Sequence, residues 1–194
     1  YDDVVNTQRG VIYSERDKVL EGADLKANVQ AMVESELGDI VLRYVRDVPR
    51  DDWDLDAMAN ELQAILPLEG ELAEIEGLYG MDSDELEGLV LDHATEVYDR
   101  LESNLTADTM RSLERQLMLR VIDVHWVQHL TAMENVRQGI GLHAYGQRDP
   151  LVMYKSEGFR MFEELQTRIQ SEIVQSVYHL GFAAAGANGK GGQR

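Results

Sequence analysis

The 194-residue chain contains no cysteine, which excludes disulfides and thiolate metal sites. Three prolines, Pro49, Pro67 and Pro150, leave most of the chain free to be helical. Alternating apolar runs are few, and no Asn-Gly or Asp-Gly hairpin turn lies between any of them. No apolar run approaches the roughly 20 residues that span a bilayer. No signal peptide is visible. A G-x-x-x-x-G-K-[ST] phosphate loop is missing, so ATP binding by that route is excluded. The first residue is Tyr1, and a helical pattern is already running there. A fragment of a longer protein is expected.

What the chain does have is acid. The net charge is −18, and it is unevenly placed. Residues 1–45 carry 9 acids and 5 bases, residues 46–108 carry 19 and 3, and residues 109–194 carry 8 and 10. The acidity therefore belongs to the middle segment. Phosphate binding needs Lys and Arg, so nucleic acid is not expected as a partner. The acidic segment reads either as a solvated face or as a docking surface for a basic partner.

The apolar residues recur at helical spacing, which predicts an all-α fold. Val5, Ile12 and Val19, with Val4 and Val11 beside them, mark a helix over 1–21. Gly22 weakens it, and Asp24 is suited to cap a second helix carrying Val29, Met32, Val33, Leu37, Ile40, Val41 and Tyr44. Pro49 ends that pattern. Trp53, Leu55, Met58, Leu62 and Ile65 mark a short helix before Pro67. Asp82 with Glu85 resembles a capping box, followed by Leu86, Leu89, Val90, His93, Val97 and Leu101.

Thr106 or Asp108 opens a long helix with two apolar rows. One is Met110, Leu113, Leu117, Val121 and Val124; the other is Leu119, Ile122, Trp126, Leu130 and Met133. Two rows imply two packed flanks. Gly139 and Gly141 are expected to stop this helix near Gln138. Asp149-Pro150 combines an N-cap with the residue best suited to the first helical position. The stripe of Met161, Phe162, Leu165, Ile169, Ile173, Val177 and Leu180 follows. A helical hairpin results, joined by a glycine-rich loop over 139–150 with Tyr145 at its tip. After Gly181 the tail lacks a core-forming pattern and reads as a linker.

Few residues suggest chemistry. Gly139-Ile-Gly-Leu-His-Ala144 has the spacing G-x-G-x-x-A, but it follows a helix rather than a strand, which removes the dinucleotide reading. His125 and His129 are four apart on one helical face and could share a metal, yet no third ligand is evident. Polar or interface histidines are the simpler reading, and no metal site is assigned. Trp126 reads as a core anchor, or as an anchor between the hairpin and a neighbouring segment. Tyr145, between glycines, has little to pack against and suits contact with a ligand or peptide, with Arg148 adding a multi-donor cation beside it. No catalytic arrangement stands out.

Four stretches resemble the SecA family of bacterial preprotein translocase ATPases. They are Tyr1-Asp-Asp-Val-Val-Asn-Thr-Gln-Arg9 with Ile12-Tyr-Ser-Glu-Arg16; Met118-Leu-Arg-Val-Ile-Asp-Val-His-Trp126; His129-Leu-Thr-Ala-Met133 with Val136-Arg-Gln-Gly-Ile140; and Leu142-His-Ala-Tyr-Gly-Gln-Arg-Asp-Pro150 with Tyr154-Lys. They occur in the family's order and at about its spacing. The resemblance implies a helical scaffold segment over 1–47, a helical wing over 48–107, a two-helix finger that also regulates the ATPase over 108–180, and a disordered linker over 181–194.

It implies functional residues as well. Tyr145, Gln147, Arg148 and Leu142 would form the finger tip that contacts the translocating polypeptide. Trp126, Leu130 and Met133 would pack finger against scaffold. Arg148 stands at a basic tip position that is often Lys in the family, and His143 stands where some members have Arg. The motor domains that bind ATP and Mg would lie outside the chain, so no cofactor and no active site are expected within it. The implied partners are the SecYEG channel, the preprotein and the rest of SecA. A homodimer could form through exposed apolar faces, and acidic lipid would be met only through the parent. The implied location is the cytoplasm, peripherally at the inner face of the plasma membrane. The reading that remains without the resemblance is a stand-alone acidic helical adaptor for a basic protein.

Overall fold

A computed structural model describes residues 1–22, 24–143 and 149–191, with backbone alone at 141–143 and 188–191. The described residues contain helices and no strand. The helices are α1 (Asp2–Leu20), α2 (Leu25–Val45), α3 (Leu55–Gln63), α4 (Ile75–Leu78), α5 (Ser83–Leu105), α6 (Ala107–His143) and α7 (Pro150–Gly191). Short 3-10 turns sit at Arg50–Asp52 and Gly70–Ala73.

Local chemistry sets most helix starts. The Asp24 carboxylate accepts from the Ala27 amide, and Asp54 does the same for Ala57. Asp82 and Glu85 form a reciprocal capping box at the start of α5. Thr106, at φ 79°, turns the chain between α5 and α6, and its hydroxyl accepts from the Thr109 amide. Asp149 accepts from the Leu151 amide and opens α7 at Pro150.

Two helix ends differ from expectation. Gly139 and Gly141 do not stop α6, which continues to His143. A helical glycine costs about 1 kcal/mol relative to Ala. Here Val136 and Ile140 line one hollow with Val152 and Met153 of α7, so continuing the helix keeps Ile140 on the apolar side of the hairpin. The connection between the arms is correspondingly shorter than the 139–150 loop read from the sequence. Residues 181–191, expected to be a disordered linker, instead prolong α7. Ala183, Ala184, Ala185 and Ala187 are strong helix formers. Gly181 also lies against Leu101, where a Cβ would come within 3.0 Å of the leucine.

The chain forms two compact units. The first comprises residues 1–23 and 115–172. Within it α1 runs antiparallel to α6, because Asp2 pairs with Arg137, Gln8 with His129 and Arg16 with Asp123. α7 is also antiparallel to α6: His125 meets Glu172, while Met133 lies beside Gly158. Its core contains Ile12, Met118, Ile122, Trp126, Met133, Tyr154 and Leu165.

The second unit comprises residues 24–114 and 173–194. α2 is antiparallel to α5, with Lys26 beside Asp99 and Glu102 and Gly38 beside Glu87. The end of α7 runs parallel to α5, with the Tyr178 hydroxyl donating to the Ala94 carbonyl and Gly181 against Leu101. Val33, Leu37, Val41, Leu62, Val90, Val97 and Val177 fill its core. Val174 and Tyr178, off the stripe read from the sequence, are buried as well, whereas Leu180, on it, is exposed. α2 thus packs with the acidic segment.

Candidate functional site

The tip residues Tyr145, Gln147 and Arg148 lie outside the described residues, and Leu142 is described in its backbone alone. The geometry that leads to them is on both sides. α6 arrives at His143 and α7 departs at Pro150, as antiparallel arms of the first unit. Just short of the connection, Val136, Ile140, Val152 and Met153 line a hollow of about 610 Å³, with Asp149, Ser156 and Glu157 at its polar edge. Val152 is among the most exposed apolar residues of the described chain.

Of the residues expected to pack the hairpin, Trp126 and Met133 are buried and Leu130 is half-buried. Trp126 stacks on His129 at 5.5 Å between ring centroids. It also borders a hollow shared with Tyr13, Arg16 and Asp17 of α1. Leu130 and Met133 border another with Val5, Arg9 and Tyr154.

The two histidines on α6 turn to different partners. His125 contacts Glu172 of α7, and His129 is hydrogen bonded to Gln8 of α1 at 2.8 Å. Among the described residues no cluster of three or more His, Asp or Glu is placed to hold a metal. His93 and His179 bond to the carbonyls of Pro67 and Ala64, at 2.8 and 2.9 Å.

Two buried polar clusters were not anticipated. In the first unit the Gln8 amide donates to the Gly158 carbonyl at 2.8 Å while its oxygen faces His129. α7 passes closely here: a Cβ on Gly158 would lie 2.9 Å from the Met133 methyl and 3.1 Å from Val4. Gly158→Val should therefore overpack this crossing and break the Gln8 bond, lowering stability by about 1–3 kcal/mol in urea unfolding. Gly158→Ala should do less, since the Met133 methyl can swing aside and Ala favours helix by about 1 kcal/mol.

In the second unit Glu114 of α6 is 0% exposed. It accepts from the Tyr98 hydroxyl of α5 and from Arg111 Nη2. Arg111 also donates to Glu102 at 2.7 Å, and Lys26 of α2 reaches Glu102 at 2.9 Å. Arg111 Nε lies 2.8 Å from Glu114 Oε2 as an ion pair, although neither atom completes a hydrogen bond. Burial pushes the Glu114 carboxyl upward, against the pull of Tyr98 and Arg111. Burial and the bond to Glu114 likewise raise the Tyr98 phenol, while the Lys26 hydrogen bond lowers Glu102.

Both clusters had a readable signal. Gln8 stands between Val4 and Ile12, Glu114 between Met110 and Leu117, and His129 between Trp126 and Met133. Each is a polar residue at a stripe position of an amphipathic helix.

No described helix is long and apolar enough to cross a membrane. A family model described as the SecA wing and scaffold domain matches residues 1–181. The protein translocase subunit SecA of Dehalococcoides mccartyi is 42% identical over 181 residues, covering 93% of this chain and 19% of that protein. Its counterparts in Clostridium acetobutylicum and Cutibacterium acnes are 39% and 42% identical over 93% of this chain, which covers 22% and 20% of them. The chain thus spans about a fifth of the length of the curated relatives it matches. A match over nearly the whole chain, joined to an all-helical fold, makes this chain a member of the SecA wing and scaffold family.

Proposed function

We propose that this segment couples an ATP-driven motor, carried elsewhere in the parent protein, to movement of preproteins through the SecYEG channel. The connection over 144–148 touches the polypeptide, and Tyr145 is its principal contact. The observation that carries this reading is the pair of antiparallel arms joined by residues 144–149, with an apolar hollow directly behind the connection. A moving chain presents every kind of side chain in turn. An aromatic ring offers apolar contact that tolerates that variety, and its hydroxyl adds one hydrogen bond.

Within this reading residues 1–47 act as helical scaffold, 48–107 as wing and 108–180 as two-helix finger. Trp126, Leu130 and Met133 transmit scaffold movement to the finger. Gln147, Arg148 and Leu142 support Tyr145 at the tip. ATP and Mg²⁺ belong to the motor domains. The parent works at the inner face of the bacterial plasma membrane, peripherally attached.

The test adds the 194-residue chain to the remaining portion of a SecA relative and follows ATP hydrolysis. Coupling predicts that the chain alone hydrolyses no ATP and that its addition restores regulation of the motor. An unchanged rate at saturating chain, with tight and salt-sensitive binding to a basic protein instead, would favour an acidic adaptor.

A further inference from the structure

We infer that Gln8, His129 and the Gly158 carbonyl form a proton-sensitive latch that ties α1 to both arms of the hairpin. It is closed while His129 is neutral with its proton on Nε2, and a proton on Nδ1 opens it.

The hydrogen bonds determine the protonation pattern. A backbone carbonyl can only accept, so the group that Gln8 presents to Gly158 at 2.8 Å must be its NH₂. The Gln8 oxygen is then the atom facing His129 Nε2 at 2.8 Å, and that nitrogen must carry the hydrogen. Nδ1 is left with a bare lone pair. It is buried and has no hydrogen-bond partner. A proton placed there would have no acceptor, and the resulting cation would lie in an apolar setting.

The surroundings offer that cation no countercharge, although the stacked Trp126 ring offsets part of the cost of burying it. α1 presents the neutral Gln8. On α6, Trp126 stacks on the ring, and His125 one turn away is engaged with Glu172. On α7 the Phe162 ring lies 5.9 Å away, and the charged group that acts on His129 is Arg168, a repelling cation. Burial first, and Arg168 second, hold the imidazole below its ordinary value.

A histidine held low in the folded state takes up its proton more readily when released. The stability it contributes is full above the ordinary histidine value of about 6.5 and is lost as pH falls through the folded value. Protonation at Nδ1 keeps the Nε2 donor to Gln8, so the latch opens through the cost of burying the cation, and because Gln8 serves three helices that opening loosens α1 from α6 and α7 together.

The 194-residue chain lacks cysteine, so two can be introduced at Tyr13 and Val127, both exposed and bordering one hollow, to carry spin labels. The α1–α6 distance distribution is expected to shift toward longer values between pH 8 and pH 5.5. His129→Gln, whose amide can still donate to Gln8, should abolish that shift. An unchanged distribution in the parent chain, or the same shift in His129→Gln, would overturn the latch. Should His129→Gln not fold, the ¹⁵N shift of Nδ1 in the labelled parent chain decides. The latch requires Nδ1 to stay unprotonated below the ordinary histidine range while α1 remains docked, and protonation at the ordinary value with α1 docked refutes it.

Discussion

Tyr145→Ala in the full-length protein is expected to reduce preprotein translocation by about tenfold or more, the scale of losing an aromatic contact hot spot. Basal ATP hydrolysis should persist, because the proposed function assigns ATP to motor domains carried elsewhere in the parent. The arms end at His143 and begin at Pro150, and their packing is made by other residues, so the loss is expected to be one of grip rather than of fold. Tyr145→Phe should keep most of the activity, since the ring supplies the sequence-tolerant surface and the hydroxyl only one hydrogen bond. Equal loss of translocation and basal hydrolysis in Tyr145→Ala would remove the substrate-contact role.

Arg111→Ala should be the most damaging change in the second unit. It strips the cation from Glu114, which is 0% exposed, and from Glu102, leaving Tyr98 as the remaining donor to Glu114. Breaking a buried ion pair from one side costs about 3–5 kcal/mol. A typical domain has about 5–15 kcal/mol in all. Arg111→Lys should fall between, keeping the charge but losing the planar fork that reaches Glu102, Glu114 and Tyr98.

The pH dependence adds a check. Without Arg111 the Glu114 carboxyl rises further, so its stability contribution is present at low pH and lost as pH rises through the folded value. The penalty of Arg111→Ala should therefore be smaller at pH 5 than at pH 8. Fluorescence can report it locally: the two tryptophans, Trp53 and Trp126, fall in different units, so a Trp126→Phe background leaves Trp53 to follow the second.

Helix starts were the most legible part of this fold. Asp24, Asp82 with Glu85, and Asp149 with Pro150 act within three residues of themselves, so nothing distant can overrule them. Helix ends were less legible. Gly139 reads as a stop in isolation, but Ile140 shares an apolar hollow with Val152 and Met153 across the hairpin, residues more than ten positions away in sequence. The tail after Gly181 reads as a linker because it has no apolar stripe, yet Gly181 itself, having no side chain, lets α7 lie against Leu101. The buried polar residues were harder still. Gln8, Glu114 and His129 look like surface residues by type, and only their place within an apolar stripe hints that each has a buried partner. The tip was legible from its sequence context, an aromatic among glycines between two amphipathic stripes, and the resemblance supplied the kind of partner it would meet.

Residue 145 is expected to meet the moving polypeptide. A photo-crosslinking amino acid at 145 in the full-length protein, irradiated during ATP-driven translocation of a stalled preprotein, tests it most directly. Crosslinks to the preprotein at 145, falling away at an exposed arm position such as Glu164, are the predicted result. Crosslinks at 164 but not at 145, or none to the preprotein at either while translocation proceeds, would contradict it.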